Sequence, residues 1–534
     1  MGLFVDLYVN THDISPESWE KTYQESLLLL ERFPLPLMRL QREEIRGQKR
    51  YVFTTHLIEN KDTPDEHWEV EGDLLSYQRA EPFQLSRYHK QHDNKHDDKN
   101  VLWANEEELE YVDGNGIKLF GNKTQGYPYH FAMLAVGILF ENRFPHNIFV
   151  TGDIDRIQAE SVIAWMNTVL ATPVIMPICL DGQKLYRQLD AIYDDGSLAI
   201  RRFQTLFRDS EEEQLHTLLR YADKNLVIQD IVETLCEYSQ LSQLGVIGLI
   251  SQFLNVTQDI NQLIDIILKV GKVKPEFNLE ELLRVLGNKF ITIDKKEREP
   301  LFIFLHSADN LITMEDTFSQ LLLTLAGAPS FIDFYLTHSE LLAIFSTYQP
   351  ANSKKFEQII AASEKKCREE LEQTKTLIRE MEKKTESADG DKIETTESVV
   401  SQQKSYSPEE EYIIEQAYLQ QKEYKQPEKF AQQMGVQLQL IIQKHSKFFT
   451  SEEKEYYLEM IYKTSFENGF VLRESAWQRI DQEQDVNVLK SLFAFSMISE
   501  RETNFWNWRC YIMEHSHLWQ YLIDDSNVKI GTTD

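Results

Sequence analysis

The chain has 534 residues, a formal net charge of −30 and four cysteines, and 42% of its residues are hydrophobic. This length exceeds one ordinary domain, and the apolar content is ample for packed cores. The strong negative charge repels nucleic-acid phosphates and anionic membranes, so binding to either is not expected. The cysteines form no CxxC pair, so neither a disulfide framework nor a cysteine zinc site is predicted.

The beginning of the chain and its apolar runs predict a cytoplasmic protein. Residues 1–13 have a short, strand-like apolar run with no basic stretch before it, which is not typical of a signal peptide. The longest apolar run, 131–140, ends at Glu141 and is too short for the roughly 20 residues of a membrane-spanning helix. We therefore expect a buried helix there and no membrane insertion.

Residues 1–182 are predicted to form a mixed α+β domain. Strand formers fill residues 3–10, and a helix with Ser15 as its N-cap follows. Two more strands are expected at 36–45 and 50–58. This β-α-β-β order is typical of a small layered domain with helices on one face of a sheet.

The end of this domain resembles a crossover unit. A strand is expected at 147–152, a helix at 155–170 and a second strand at 173–180. A βαβ connection normally makes its two strands parallel, so their carboxyl ends would lie at the same edge of the sheet. Pro177 limits the second strand to an edge or an interrupted position, because proline cannot donate to a ladder.

The rest of the chain is predicted to be mostly helical. Residues 183–350 carry apolar positions at helical spacing without a fixed repeat and predict an irregular helical domain. Residues 351–405 predict a charged amphipathic helix followed by a flexible linker, and 406–534 a C-terminal helical domain. The expected fold class is therefore multidomain, α+β and all-α, with the mixed domain first.

Three aspartates are the candidate catalytic residues. Asp153 and Asp155 follow the strand at 147–152, and Asp181 follows the strand expected at 173–180. If these carboxylates converge, they can hold a divalent metal such as Mg²⁺ through oxygen ligands. The competing interpretation is structural, because Asp155 and Gln158 have the spacing of a helix capping box.

Three other features carry weaker signals. His89, His92 and His96 lie in a polar stretch and can share a helical face suited to a transition metal, but the stretch has no apolar anchor, so a solvated loop is the favoured interpretation. Cys179 with His130 is conceivable as a nucleophile pair. Trp506 cannot share a helix face with Trp508, Ile512 and Trp519. Either this helix is buried on two sides, which is the favoured interpretation, or Trp506 is exposed and a candidate for partner binding.

The function that the sequence favours is protein interaction. The nucleotide-binding, zincin, serine-hydrolase and protein-kinase motifs are missing from the sequence. The leading hypothesis is a non-enzymatic adaptor, chaperone-like or toxin-neutralising protein that needs no cofactor. An acidic surface would suit a basic protein partner. The alternative is a metal-dependent hydrolase built on Asp153, Asp155 and Asp181. The sequence indicates no particular oligomeric state.

Overall fold

The computed structural model divides the chain into two compact units. The first contains residues 1–181 together with 405–534, and the second contains 182–404. The predicted fold class is confirmed, because the N-terminal part is rich in strands that form two sheets and helices dominate the remainder. The residues that the structure describes are 3–45, 47–76, 78–89, 99–298, 332–388, 407–421, 426–468, 471–498 and 503–523.

Strands form the centre of the first unit. The described strands of its N-terminal part are β1 (Phe4–Val9), β2 (Leu37–Ile45), β3 (Gln48–Thr54), β4 (Ile58–Glu59), β5 (His67–Asp73), β6 (Arg79–Ser86), β7 (Ile117–Lys123) and β8 (Ile148–Gly152). A ninth described strand, β9 (Val471–Arg473), comes from the C-terminal part of the chain. The strands predicted at 3–10, 36–45, 50–58 and 147–152 are confirmed as β1, β2, β3 and β8.

These strands build two sheets. β1 lies in the middle of a three-stranded antiparallel sheet, between β7 and β8, where Leu7 pairs with Phe120 on one side and Val150 on the other. The second sheet has the order β4-β5-β2-β3-β9, and β6 also pairs with β5.

Three helices accompany the strands of the N-terminal part: α1 (Pro16–Arg32), α2 (His130–Arg143) and α3 (Arg156–Val169). The predicted N-cap of α1 is confirmed, because the Ser15 hydroxyl accepts a hydrogen bond from the Ser18 N–H at 3.1 Å. α2 is buried from His130 to Glu141, so the long apolar run is a core helix as expected.

The strand expected at 173–180 is wrong. This segment has no ladder and ends in a short 3-10 turn, Ile178–Leu180. Its backbone donors are taken by side chains instead, since Val174 N–H donates to Asn167 Oδ1 at 2.8 Å and Ile178 N–H donates to Glu141 Oε1 at 2.7 Å. Buried Glu141 also accepts from Val150 N–H at 3.0 Å, so its carboxylate covers the edge of β8 that a parallel partner would need.

All regular elements in the described residues of the second unit are helices. They are α4 (Gly182–Ile192), α5 (Gly196–Leu206), α6 (Glu211–Tyr221), α7 (Lys224–Glu237), α8 (Leu244–Thr257), α9 (Ile260–Gly271), α10 (Leu279–Gly287), α11 (His338–Tyr348) and α12 (Ser353–Ala388). Polar residues start most of these helices. Asp223, for example, accepts from Asn225 N–H at 2.7 Å, which satisfies a donor that the first turn leaves without a partner.

The long helix α12 is anchored to its unit by one side. Buried side chains recur along it at spacings of about one or two helical turns, as an amphipathic helix requires. They include Phe356, Ile360, Cys367 and Leu371. The flexible linker predicted within 351–405 follows this helix. Its residues 389–405 lie outside the described residues, so the linker stays a prediction.

The C-terminal part of the first unit is predominantly helical, as predicted. Its described helices are α13 (Pro408–Gln421), α14 (Pro427–Lys444), α15 (Lys454–Glu467), α16 (Glu474–Gln482), α17 (Val486–Ser496) and α18 (Thr503–Glu514). β9 is a departure from the wholly helical prediction. It lies between α15 and α16 and pairs in parallel with β3, with Leu472 opposite Val52.

Side chains strengthen this junction between the two ends of the chain. The Trp477 indole N–H donates to the Tyr51 carbonyl at 3.0 Å, and the Arg50 guanidinium lies 5.2 Å from the Trp477 ring centroid. On another side, the rings of Phe131 and Tyr412 meet edge to face at 5.8 Å. The sequence-based division gave 406–534 a domain of its own, whereas these residues share a sheet and a core with the N-terminal part.

Within the described residues, no helix combines the length and the apolar character needed to cross a membrane.

Candidate functional site

The turn before α3 holds the candidate aspartates, and its shape depends on Gly152. This glycine has φ +128°, in a region that side chains disfavour, and a Cβ there would lie 3.1 Å from the Phe4 carbonyl carbon. The neighbouring Ile154 is buried. The turn is therefore pressed against the start of β1, with little room for a ligand on that side.

Asp153 extends the pairing of β1 with β8. Its backbone N–H donates to the Phe4 carbonyl at 2.9 Å, and its Oδ2 accepts from the Phe4 N–H at 2.9 Å. The carboxylate thus satisfies a strand-end donor. This is a structural duty that the residue type alone did not reveal.

Asp155 is the N-cap of α3, and the predicted capping box is present. Asp155 Oδ1 accepts from the Gln158 N–H at 2.8 Å, and Gln158 Oε1 accepts from the Asp155 N–H at 3.4 Å. A carboxylate at this place also complements the positive end of the helix dipole. The structural interpretation of this pair is therefore the one that the geometry supports.

Asp181 lies beyond the 3-10 turn that replaces the expected strand. Its N–H donates to the Ile178 carbonyl at 3.1 Å, and Arg156 at the start of α3 donates to the neighbouring Leu180 carbonyl at 2.7 Å. Among the described His, Cys, Asp and Glu side chains, no group of three is placed to hold a metal ion, and this includes Asp153, Asp155 and Asp181.

His130 lies in the core beside this turn. Its side chain is 1% exposed, and its Nδ1 lies 2.7 Å from the Thr124 hydroxyl. Burial lowers the pKa of His130 to about 4, with the Asp153 and Asp155 carboxylates opposing the shift. The imidazole is therefore neutral at pH 7 and held away from solvent. Cys179, the other half of the conceivable nucleophile pair, is also fully buried.

The three candidate metal-binding histidines divide between described and undescribed residues. The His89 ring meets the Trp19 ring edge to face at 5.4 Å. His92 and His96 lie outside the described residues, so the metal-binding hypothesis for this stretch stays a prediction.

Trp506 belongs to α18, but its side chain lies outside the described residues, so its proposed partner role also stays a prediction. Its neighbour Trp508 is half-buried and stacks on Phe430, with ring centroids 4.4 Å apart. Ile512 and Trp519, expected on one apolar face with Trp508, are buried in the core of the first unit.

A different surface, on the second unit, is left uncovered by the described residues. Leu244 at the start of α8 is 60% exposed, and a methyl group added to Gly248 one turn later would lie more than 4 Å from every described atom outside the backbone of α8. Ile247 beside them is half-buried. We call Leu244, Ile247 and Gly248 the α8 surface.

Neighbouring elements define the limits of the α8 surface. Further along the same side of the helix, Asn255 donates to Glu212 Oε1 at 2.8 Å and Gln252 donates to the Glu211 carbonyl, so the first turn of α6 covers that end. That turn contains the exposed acidic residues Glu211, Glu212 and Glu213. The α8 surface is thus apolar with an acidic edge.

The composition of α8 is a signal in the sequence for this surface, although it matches no functional motif. Residues 244–257 are apolar on nearly all sides, a pattern typical of a helix buried all round. In the structure only Val246, Ile250, Ser251, Phe253 and Leu254 are buried. α8 therefore has more apolar residues than buried positions, and Leu244 and Ile247, which are apolar and not buried, lie on the α8 surface.

Comparison with known proteins adds no family to this description. No protein-family model matches the chain, and no curated protein or solved structure shows detectable similarity to it.

Proposed function

We propose that the protein acts by binding another protein, without catalysing a reaction, and that the α8 surface is where this partner docks. The observation that supports the proposal best is Gly248. A glycine inside a helix costs about 0.5–1 kcal/mol relative to alanine. Among the described residues, no atom outside the backbone of α8 lies within 4 Å of a methyl group placed on this glycine. A partner packed against it would use the close approach that the missing side chain allows.

The exposed apolar residues around Gly248 fit the same role. Leu244 lies one turn before this glycine on the same side of α8. Val273, which follows α9, is 75% exposed. Near it, the Lys274 ammonium donates to the Tyr238 carbonyl at 2.7 Å, and the Tyr238 side chain lies against Gly245 of α8. Clustered exposed apolar residues are typical of surfaces that bind proteins.

The acidic edge indicates the chemistry of the partner. Glu211, Glu212 and Glu213 complement the dipole of α6, and they also place negative charge at one end of the α8 surface. We therefore expect an amphipathic helix whose apolar face covers Leu244 and Gly248 and whose basic residue meets this turn. Such charge pairing sets orientation and speeds association more than it raises affinity.

The hydrolase alternative has less support. The carboxylates that it requires are engaged with backbone donors, since Asp153 accepts from Phe4 N–H and Asp155 from Gln158 N–H. No specific observation favours catalysis at this turn, and we do not propose it.

The test is affinity capture from cells that produce the protein naturally, with three forms of the full chain. Leu244→Asp and Gly248→Glu place charge on the α8 surface, and Leu440→Asp is the control at a 55% exposed leucine of the first unit. We expect one stoichiometric protein to be retained by the wild type and by Leu440→Asp and lost from both α8 variants. Binding of that protein, once purified, should show the same pattern.

Two results would contradict the proposal. One is that no protein is retained differently by the α8 variants and the control. The other is that the purified partner binds Gly248→Glu as tightly as wild type. Folding is monitored by circular dichroism, and Gly248→Glu is well suited because it removes a helix-interior glycine and meets open space.

A further inference from the structure

A cavity of about 340 Å³ lies at the carboxyl end of α1. This volume falls within the roughly 300–1,000 Å³ of small-molecule sites. Leu27 and Leu30 form the α1 side of the cavity, and Leu57 and Ile58 form the side contributed by the segment that enters β4. Most of the wall is therefore apolar, and the cavity favours a ligand with a hydrocarbon body.

The end of α1 supplies hydrogen-bond acceptors beside these apolar walls. The last four carbonyl groups of a helix have no partner within the helix. After Arg32 the chain continues as Phe33, Pro34, Leu35 and Pro36, and the two prolines have no N–H to return. Phe33, with φ −55° and ψ 138°, has already left the helical conformation. The carbonyl end of α1 thus carries partial negative charge, and Pro34 and Pro36 offer it no backbone N–H.

One side chain at the cavity mouth is a carboxylate, and Arg32, the basic residue in the last turn of α1, is not among the described residues that line the cavity. Glu31, in the last turn of α1, is exposed and is the carboxylate among the described lining residues. Thr55 and His56 are exposed on the opposite rim. A ligand entering here therefore meets a carboxylate and helix carbonyls at the mouth and leucine side chains inside.

We propose that this cavity binds a small organic ammonium compound with an apolar tail. The ammonium N–H groups donate to Glu31 and to the last carbonyls of α1, and the hydrocarbon tail replaces water between α1 and the Leu57–Ile58 segment. A carboxylate head would meet the repulsion of Glu31 and of the helix dipole at the same place. The site is independent of the α8 surface, which belongs to the second unit.

The test is isothermal titration calorimetry on the full chain with octylammonium, octanoate and 1-octanol, each kept below its aggregation limit. We expect octylammonium to bind about tenfold more tightly than the other two, which corresponds to one charge-assisted interaction. Glu31→Gln should reduce octylammonium affinity about tenfold and leave octanol affinity unchanged. Glu17→Gln, at the exposed opposite end of α1, is the matched control and should change neither.

A second variant separates this site from adventitious binding of an apolar tail. Thr55→Trp fills the mouth from an exposed position, so it should abolish octylammonium binding without unfolding the protein. The proposal is overturned if octanoate binds as tightly as octylammonium, if octylammonium shows no binding at millimolar concentration, or if Thr55→Trp binds it like wild type.

Discussion

The residue types in the turn before α3 suggest a reactive site, and those in the first two turns of α8 suggest only a buried helix. The contacts in the structure indicate the reverse. The turn contains aspartates beside a buried histidine, yet Asp153 and Asp155 bond backbone N–H groups and His130 is neutral and enclosed. The start of α8 contains only apolar residues and glycines, yet Leu244 is 60% exposed and the described residues leave the space beside Gly248 open.

This contrast teaches that an interaction site is better recognised by groups without partners than by reactive residue types. A carboxylate that already accepts from backbone donors has little left to offer a metal or a substrate. Covering an apolar side chain that is exposed to water lowers the free energy of the system. Three measurements on single variants test whether the turn before α3 is purely structural and whether the start of α8 is uncovered.

The largest expected effect is the acid sensitivity that His130 imposes on the first unit. Its pKa is lowered to about 4 by burial, whereas an unfolded histidine titrates near 6.5. Between these values the unfolded chain binds the extra proton, so stability falls as the pH drops from 6.5 to 4. The full loss is about 3 kcal/mol. Urea unfolding at a series of pH values should show it.

His130→Gln removes this titration and should flatten the pH dependence between 6.5 and 4 relative to wild type. An imidazole that serves as an acid–base group open to solvent would behave differently. It would titrate near 6.5 in the folded protein, by NMR, and the two pH profiles would be parallel.

Asp155→Ala is expected to have the next largest effect. Losing an N-cap carboxylate costs about 1 kcal/mol, because Gln158 N–H loses its acceptor. Chemical unfolding monitored by circular dichroism measures the change. Glu160→Ala, on the exposed side of the same helix, is the control and should cost much less. Unchanged stability in Asp155→Ala would show that the carboxylate is free for another purpose.

The smallest effect, and the one of opposite sign, is expected for Gly248→Ala. Among the described residues, no atom outside the backbone of α8 lies within 4 Å of the added methyl group, so the variant should gain about 0.5–1 kcal/mol from better helix propensity. Gly245→Ala in the same helix is the matched control. Its methyl group would meet the Tyr238 ring, so it should lose stability. Destabilisation by Gly248→Ala would mean that the space beside this glycine is already used within the chain.

The sequence alone determined the local structure around many of these residues. The caps at Ser15 and Asp155 were predictable, because a side-chain oxygen three residues before a free N–H is a purely local arrangement. The strands β1, β2, β3 and β8 and the buried helix α2 followed from composition and periodicity. The general fold class followed from the order of these patterns.

Only the tertiary structure decided which distant groups meet. The segment 173–180 had the composition of a strand, but Glu141 and Asn167 take its N–H groups, and neither contact is visible in a local pattern. β9 exists because β3, from a distant part of the chain, offers it an edge. Trp477 and Tyr51, which are hydrogen-bonded beside this edge, are 426 residues apart in the sequence. The exposure of Leu244 likewise depends on where the first turn of α6 lies against α8. Backbone donors and apolar faces take whichever partner the whole fold brings near, so such choices are settled by packing rather than by sequence neighbours.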